Sequence, residues 1–309
     1  TILAARKAQD SGLAQIVLVG PRDEASAAAS ECSTSLEGLT LLDPAEPAVR
    51  ERCARLYFDL RQAKGVTEDQ AYAQVLDPLY CASCLLKLGE LDGTVAGAVN
   101  STPNVLRPLL QIVKCAPGIS TVSSCFIMAT PQKHMGVDGT FLYADSGVVP
   151  NPTAEQLADI AITTAESARL YMQVEPLVAM LSFSTAGSAS HPDVDKVKEA
   201  TRLAQEKAPE LIIEGEMQVD AAIVPEVALA KFPNSRIRGK ANVLIFPDLD
   251  AGNIGYKLTQ RLANAEAYGP LVQGLARTGL DLSRGATPDD ICGVIAVAAL
   301  RAEYCNAPV

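Results

Sequence analysis

Ala241-Asn242-Val243-Leu244-Ile245-Phe246-Pro247 is followed by Asp248-Leu249-Asp250-Ala251-Gly252 and then by Asn253-Ile254-Gly255-Tyr256-Lys257. The apolar run reads as a buried strand, residues 248–252 as a turn, and Asn253 onward as a helix. The same alternation extends outward in both directions. Further β-rich runs occupy 15–20, 39–42, 93–99, 120–128, 139–144, 176–182 and 211–215, with longer helix-patterned segments between them. Near-continuous apolar strands alternating with amphipathic helices indicate an α/β protein with a buried, largely parallel sheet. Ligands in such folds sit beyond the carboxyl ends of strands.

Two helices stand out by period. Within 287–303, apolar residues at 291, 294, 295 and 298 form one stripe, and 153–170 behaves similarly with Thr153 as its N-cap. A chain of 309 residues, 48% hydrophobic, suits about two domains. With no low-complexity linker or internal repeat in view, Lys114-Cys115-Ala116-Pro117-Gly118 is the candidate boundary. The net charge of -10 opposes a nucleic-acid surface, whose affinity comes mainly from Lys and Arg neutralising phosphates. Any anionic ligand is therefore small and held locally.

Eight cysteines are scattered without a disulfide-scaffold spacing, and the first twenty residues lack the apolar core of a signal peptide, so a reducing cytoplasm is expected. No apolar run approaches the roughly 20 residues that cross a bilayer, so no membrane partner is expected. Cys81-Ala82-Ser83-Cys84 has the gap of a zinc or redox pair. It lacks a second pair, and His134 and His191 lie far away, so no metal site is expected and two thiols on a helix are the simpler reading.

Three stretches carry candidate chemistry. Asn253, Lys257 and Arg261 recur every four residues and share a helix face, which fits an anion clamp or a solvated polar face. Phe183-Ser184-Thr185-Ala186-Gly187-Ser188-Ala189-Ser190 follows a strand and precedes a helix with Pro192 at its first position; its small residues fit a phosphate-approaching loop or an ordinary cap. Asp281-Leu282-Ser283-Arg284-Gly285 leads into Thr287-Pro288-Asp289-Asp290. By spacing alone Asp290 is first a capping-box carboxylate. A Ser-Arg-Gly turn at the same helix entrance adds an oxyanion donor and a fixed cation, which gives that carboxylate partners for general-base work.

Taken together, the chain resembles the phosphotransacetylase family, the phosphate acetyl/butyryl transferases. The similarity rests on 181–189, Glu214-Gly215-Glu216-Met217-Gln218-Val219-Asp220, 241–261, Gly269-Pro270-Leu271-Val272-Gln273-Gly274 and Asp281-Leu282-Ser283-Arg284-Gly285, and extends through Arg61-Gln62-Ala63-Lys64-Gly65 and Val105-Leu106-Arg107-Pro108. The resemblance implies two α/β domains with a cleft between them, similar to the isocitrate and isopropylmalate dehydrogenases. One would combine residues 1–116 with 272–309, and the other would span 117–271. It also implies reversible acetyl transfer between coenzyme A and inorganic phosphate through a ternary complex, or transfer of propionyl or butyryl groups, or a noncatalytic acetyl-CoA-sensing role.

By the same resemblance Asp290 matches the general base, Ser283 the hydroxyl supporting the oxyanion, and Arg284 the cation on the phosphoryl or acyl group. Arg61, Arg107 and Arg261 match arginines that bind coenzyme A or acetyl phosphate, with Ser184, Thr185, Asn253 and Lys257 as further substrate contacts. No tightly bound cofactor is implied; coenzyme A, acetyl phosphate and phosphate are substrates. A cytoplasmic homodimer is expected, with housing in a bacterial microcompartment left open. Two departures stand out: Leu280 and Val149 each occupy a place where the family commonly has Asn. The strand that usually precedes the first family helix is also expected to be missing before Thr1.

Overall fold

The computed structural model describes residues 1–306, with side chains through Tyr304. It contains two compact units, one made of Thr1–Ala116 and the chain from Leu275 onward, the other of Pro117–Gly274.

The first unit opens with α1 (Ile2–Asp10), β1 (Val17–Val19), α2 (Arg22–Glu31) and β2 (Thr40–Leu42), β1 and β2 pairing in parallel. Next come α3 (Pro47–Arg61), α4 (Glu68–Gln74) and α5 (Pro78–Leu88). Their starts are set locally. Proline stands in the first turn of α3 and α5, Thr67 and Gln70 form a capping box on α4, and Asp77 accepts from Leu79 N–H on α5. These helices bury Cys53, Tyr57, Tyr80, Cys81, Cys84 and Leu85 in one apolar cluster. β3 (Gly93–Ala96) and α6 (Thr102–Pro108) follow. The strand expected over 93–99 stops at Ala96 because Gly97 has φ +123°, and a Cβ there would stand 2.4 Å from Asp281 Oδ1.

The second unit runs β4 (Ser123–Ala129), β5 (Thr140–Ala144), α7 (Ala154–Met172), β6 (Leu177–Leu181), α8 (Pro192–Lys207), β7 (Ile212–Met217), α9 (Val219–Ile223), α10 (Pro225–Lys231), β8 (Val243–Ile245), α11 (Leu249–Leu262) and β9 (Glu266–Gln273). Its six-stranded sheet has the order β7-β6-β8-β5-β4-β9. The first four strands are parallel, but β4 is antiparallel to both β5 and β9. The link from β4 to β5 is a tight excursion through Gly136 and Gly139, both at positive φ, and contains no helix that could cross over the sheet. β9 escapes the sequence pattern because Gly269-Pro270 interrupts it. As an edge strand it tolerates proline, and the register against β4 shifts between Cys125 and Ile127 at that point.

Back in the first unit, β10 (Thr278–Asp281) pairs in parallel with β3, Asp281 opposite Ala96, and α12 (Pro288–Asn306) follows. Ile291 and Cys292 of α12 pack on Ala4 and Ala8 of α1, with Val294 and Ile295 at the margin, so the expected stripe is the buried one. β10 has too few β-forming residues to be read from sequence. Among the described residues no helix is long and apolar enough to cross a membrane.

Candidate active site

β10 leads into the first unit's candidate residues. Asp281 and Leu282 are buried, and the chain then emerges so that Ser283, Arg284 and Gly285 are exposed. The turn is pinned at two points: Gly285 N–H donates to Ala98 O at 3.4 Å and Ala286 N–H to Ser283 O at 3.1 Å. Gly285 takes φ +80°, a conformation that favours glycine. Thr287 then caps α12.

Asp290 sits at the third position of that helix and is engaged as the spacing anticipates. Its Oδ2 accepts from Thr287 N–H and from Thr287 Oγ1, both at 2.8 Å, while Asp290 N–H donates to Thr287 Oγ1 at 3.2 Å. The bonds from the Thr287 amide and hydroxyl hold this carboxyl below the ordinary Asp value of 3.8. Asp290 is thus an exposed, ionised carboxylate on a capped helix start. Asp289 next to it pairs with Lys7 of α1.

Arg61 and Arg107 converge on a tyrosine pair in the same unit. Arg61 is the last residue of α3, one turn beyond Tyr57, whose ring meets Tyr80 edge-on at 5.5 Å. Burial raises the Tyr80 hydroxyl above its usual value, and among the opposing influences are the positive charges of Arg107 and Arg61. Arg61 Nε is buried without a hydrogen-bond partner, while the Arg107 side chain is exposed on α6. Sequence reading did not single out the two tyrosines, whose aromatic spacing alone looks like core.

The second unit holds the other candidates. The expected turn over 248–252 is in fact helix: Asp248 accepts from Ala251 N–H at 2.8 Å and α11 starts at Leu249. Gly252 therefore lies inside the helix, where a Cβ would come 2.1 Å from Asp145 O, so only glycine allows the close approach. Asn253 consequently stands in the second turn rather than at the helix beginning, and its Nδ2 donates to Ser146 O at 3.2 Å. Lys257 and Arg261 are exposed, Lys257 Nζ lying 5.7 Å from the Tyr256 ring centroid.

Ser184 and Thr185 are buried, and their loop satisfies itself. Ser184 Oγ donates to Glu216 Oε1 at 2.8 Å and accepts from Ala189 N–H, Thr185 Oγ1 accepts from Gln218 N–H, and Gly187 N–H donates to Glu216 Oε1 at 2.8 Å. The Glu216 carboxylate, 2% exposed, takes up the donors that a phosphate would use. These hydroxyls shape the loop, and no open anion cradle is formed by them.

Cys81 and Cys84 are fully buried on α5, with Cys53 Sγ 4.0 Å from Cys81 Sγ. No cluster of His, Cys, Asp and Glu fit for a metal occurs among the described residues, and Cys305 lies outside the described side chains. His191 caps α8, accepting from Asp193 N–H through Nδ1. Leu280 is 1% exposed, and Val149 N–H donates to Asp145 Oδ2 at 2.7 Å.

Comparison with known proteins adds the decisive observation: the family model "Phosphate acetyl/butaryl transferase" matches residues 1–299. The chain belongs to the phosphate acetyl/butyryl transferase family. It is 52% identical over 306 residues to a phosphate acetyltransferase of Acetivibrio thermocellus, covering 99% of this chain and 92% of that one, and 49% identical over 302 residues to that of Clostridium acetobutylicum, covering 98% and 91%. Among solved structures, a phosphotransacetylase from Streptococcus pyogenes superposes with a TM-score of 0.92 at 39% identity, covering 97% of this chain and 90% of that one. The EutD phosphotransacetylase of Staphylococcus aureus gives 0.88 at 38%, covering 97% and 89%. The chain is accordingly an enzyme of acyl and phosphate transfer with the α/β fold of phosphotransacetylases.

Proposed function

We propose that this enzyme moves an acetyl group reversibly between coenzyme A and inorganic phosphate by direct transfer within a ternary complex. The coenzyme A thiol gives its proton to Asp290, the sulfur attacks the carbonyl carbon of acetyl phosphate, and the C–O bond to phosphate breaks with its electron pair leaving on phosphate. Ser283 donates to the oxyanion of the tetrahedral intermediate, and Arg284 holds the phosphoryl group. Arg61, Arg107, Lys257 and Arg261 hold the anionic substrates. Asn253, Ser184 and Thr185 serve binding by fixing the segments that carry it.

One observation carries this reading. Among the described residues Arg6, Arg22, Arg52, Arg169, Arg202 and Arg236 each pair with a carboxylate; Arg50, Arg55, Arg238 and Arg277 form no ion pair, and neither do the four candidates Arg61, Arg107, Arg261 and Arg284. Their guanidinium forks remain available to a phosphate or carboxylate ligand, for which a planar bidentate donor is well suited. The test is phosphate- or arsenate-dependent loss of acetyl-CoA by the purified protein, compared with propionyl-CoA and butyryl-CoA. Acetyl-CoA consumption above the others supports the proposal; phosphate-independent loss or none at all rejects it.

A homodimer is part of the same proposal. Ile254, Leu258 and Leu262 of α11 are 57%, 51% and 81% exposed at successive fourth positions, an apolar stripe unlike the rest of a soluble helix. Leu258→Asp is expected to shift sedimentation toward the monomer. A reducing cytoplasm fits Cys53 and Cys81, which stand 4.0 Å apart as thiols without a disulfide.

A further inference from the structure

Asp281 is the one residue of the Asp-Leu-Ser-Arg-Gly stretch whose carboxyl faces the interior. It is 2% exposed at the end of β10, two residues before Ser283. Its Oδ2 accepts from Thr102 Oγ1 at 2.5 Å, and its Oδ1 is buried with no hydrogen-bond partner. Gly97 stands against that oxygen so closely that a Cβ would meet it at 2.4 Å, and the same Cβ would meet Leu282 N and O at 2.7 Å. Burial raises this carboxyl above the ordinary Asp value, against the Thr102 hydroxyl and the Leu282 amide that lower it. A half-satisfied buried carboxyl is a poor choice for stability alone, since an apolar residue of similar shape would avoid the desolvation cost.

What the carboxyl joins gives it a use. Thr102 is the first residue of α6, the helix that carries Arg107, and Ala98 of the preceding loop accepts from Gly285 in the Ser283–Arg284 turn. We propose that Asp281 is a positioning residue: through Thr102 it fastens the end of β10 to the head of α6, so that the turn bearing Ser283 and Arg284 and the helix bearing Arg107 keep a fixed mutual geometry. This rests on the acetyl-transfer reading above. A displacement of about 1 Å remote from the reacting atoms can cost as much as about 100-fold in rate, so a latch of this kind is read in turnover.

The experiment compares wild type, Thr102→Val, Thr102→Ser, Asp281→Ala, Ser283→Ala and the Thr102→Val/Ser283→Ala double variant, each checked for folding by circular dichroism. Thr102→Val keeps shape and removes only the hydroxyl, so it carries the test if Asp281→Ala does not fold. The expected result is a loss in kcat of about 10-fold or more for Thr102→Val, recovery in Thr102→Ser, and a double variant whose loss falls well short of the product of the two single losses, because part of what the latch positions is Ser283 itself. Unchanged kcat in Thr102→Val, or losses that multiply in the double variant, overturn the proposal. If wild type itself shows no phosphate-dependent turnover, the functional reading fails instead, and the two failures are distinct.

Discussion

Asp290 is a helix cap and, in the proposed mechanism, also the general base, and the two roles differ enough in magnitude to separate. As a cap it receives two bonds from Thr287 and places its own N–H on the Thr287 hydroxyl. Thr287→Ala removes the hydroxyl while leaving the carboxylate and the Thr287 N–H. Loss of such a cap costs about 1 kcal/mol, or a fall in melting temperature of about 2–4 °C for a unit of this size. Because the hydroxyl and the amide together hold the carboxyl below 3.8, Thr287→Ala lets it rise, and the acid limb of kcat/KM moves to higher pH. The same depressed value stabilises the fold above the unfolded-state pKa and ceases to do so as pH falls through the folded value, so the variant also loses part of its acid-dependent stability change. Asp290→Asn, by contrast, removes the base, which is expected to lower kcat by about 10²- to 10⁴-fold, equivalent to about 3–5 kcal/mol of barrier. Thermal melts and pH–rate profiles of both variants, in the acetyl-CoA assay, decide the matter. Near-normal turnover in a folded Asp290→Asn protein, with a melting shift matching Thr287→Ala, would refute the general-base role and leave only the cap.

Ser283→Ala is expected to cost on the order of 100-fold in kcat where the hydroxyl meets the oxyanion, and a change below about threefold rejects that contact. Arg261→Ala should raise the KM of an anionic substrate more than it lowers kcat, and steady-state kinetics with unchanged KM values would return the exposed stripe of α11 to plain surface. Asp159 tests the electrostatics of the second unit: burial opposes its charge, but Lys207 Nζ at 2.7 Å and two bonds from Ser120 outweigh it and depress its value. Its stabilising effect is present above the unfolded-state pKa and is lost as pH falls through the folded one. Lys207→Met should therefore destabilise by about 1–3 kcal/mol at neutral pH, the Lys end being partly exposed, and by less in acid; a pH-independent urea midpoint difference would contradict this.

The parallel strands and their helices were legible because burial on both faces leaves continuous apolar runs such as Val243–Ile245, and because Thr153, Pro192 and Thr287 mark helix starts by side-chain chemistry. The antiparallel β9 and the short β10 were not, since one contains Gly-Pro and the other ends on an aspartate; only pairing with β4 and β3 makes them strands. At the candidate site the exposed residues of the Ser283–Arg284 turn could be named from the motif. Asp281, Tyr57, Tyr80 and Glu216 could not, because a buried carboxylate and a surface one look alike until the surrounding donors are placed. The loop at 183–190 shows the same limit in reverse: its small residues do approach an anion closely, but the anion is Glu216 of the protein itself.

That internal substitution bears on how an acidic chain can handle anionic substrates at all. With a net charge of -10 the long-range field repels phosphate and coenzyme A, and at physiological salt it is damped within about 8 Å. Binding must then come from short-range, directional donors whose charge has not been consumed elsewhere. In the second unit the carboxylates Glu214 and Glu216 engage the donors around them, Glu214 accepting from the Ser235 hydroxyl and the Arg236 and Ile237 amides and Glu216 from the Ser184 hydroxyl and the Gly187 amide. Donors engaged in this way are not open to a ligand. Among the cations without an ion pair, Arg61, Arg107, Arg261, Arg284 and Lys257 are the ones the proposed function assigns to the ligand. Pairing one of them artificially, for instance by a carboxylate placed one helical turn from Arg261 through Lys257→Glu, should weaken substrate binding far more than Arg202→Glu, which makes the same charge change at an arginine already paired with carboxylates. Equal effects of Lys257→Glu and Arg202→Glu on KM would show that net charge, and not local availability, governs binding.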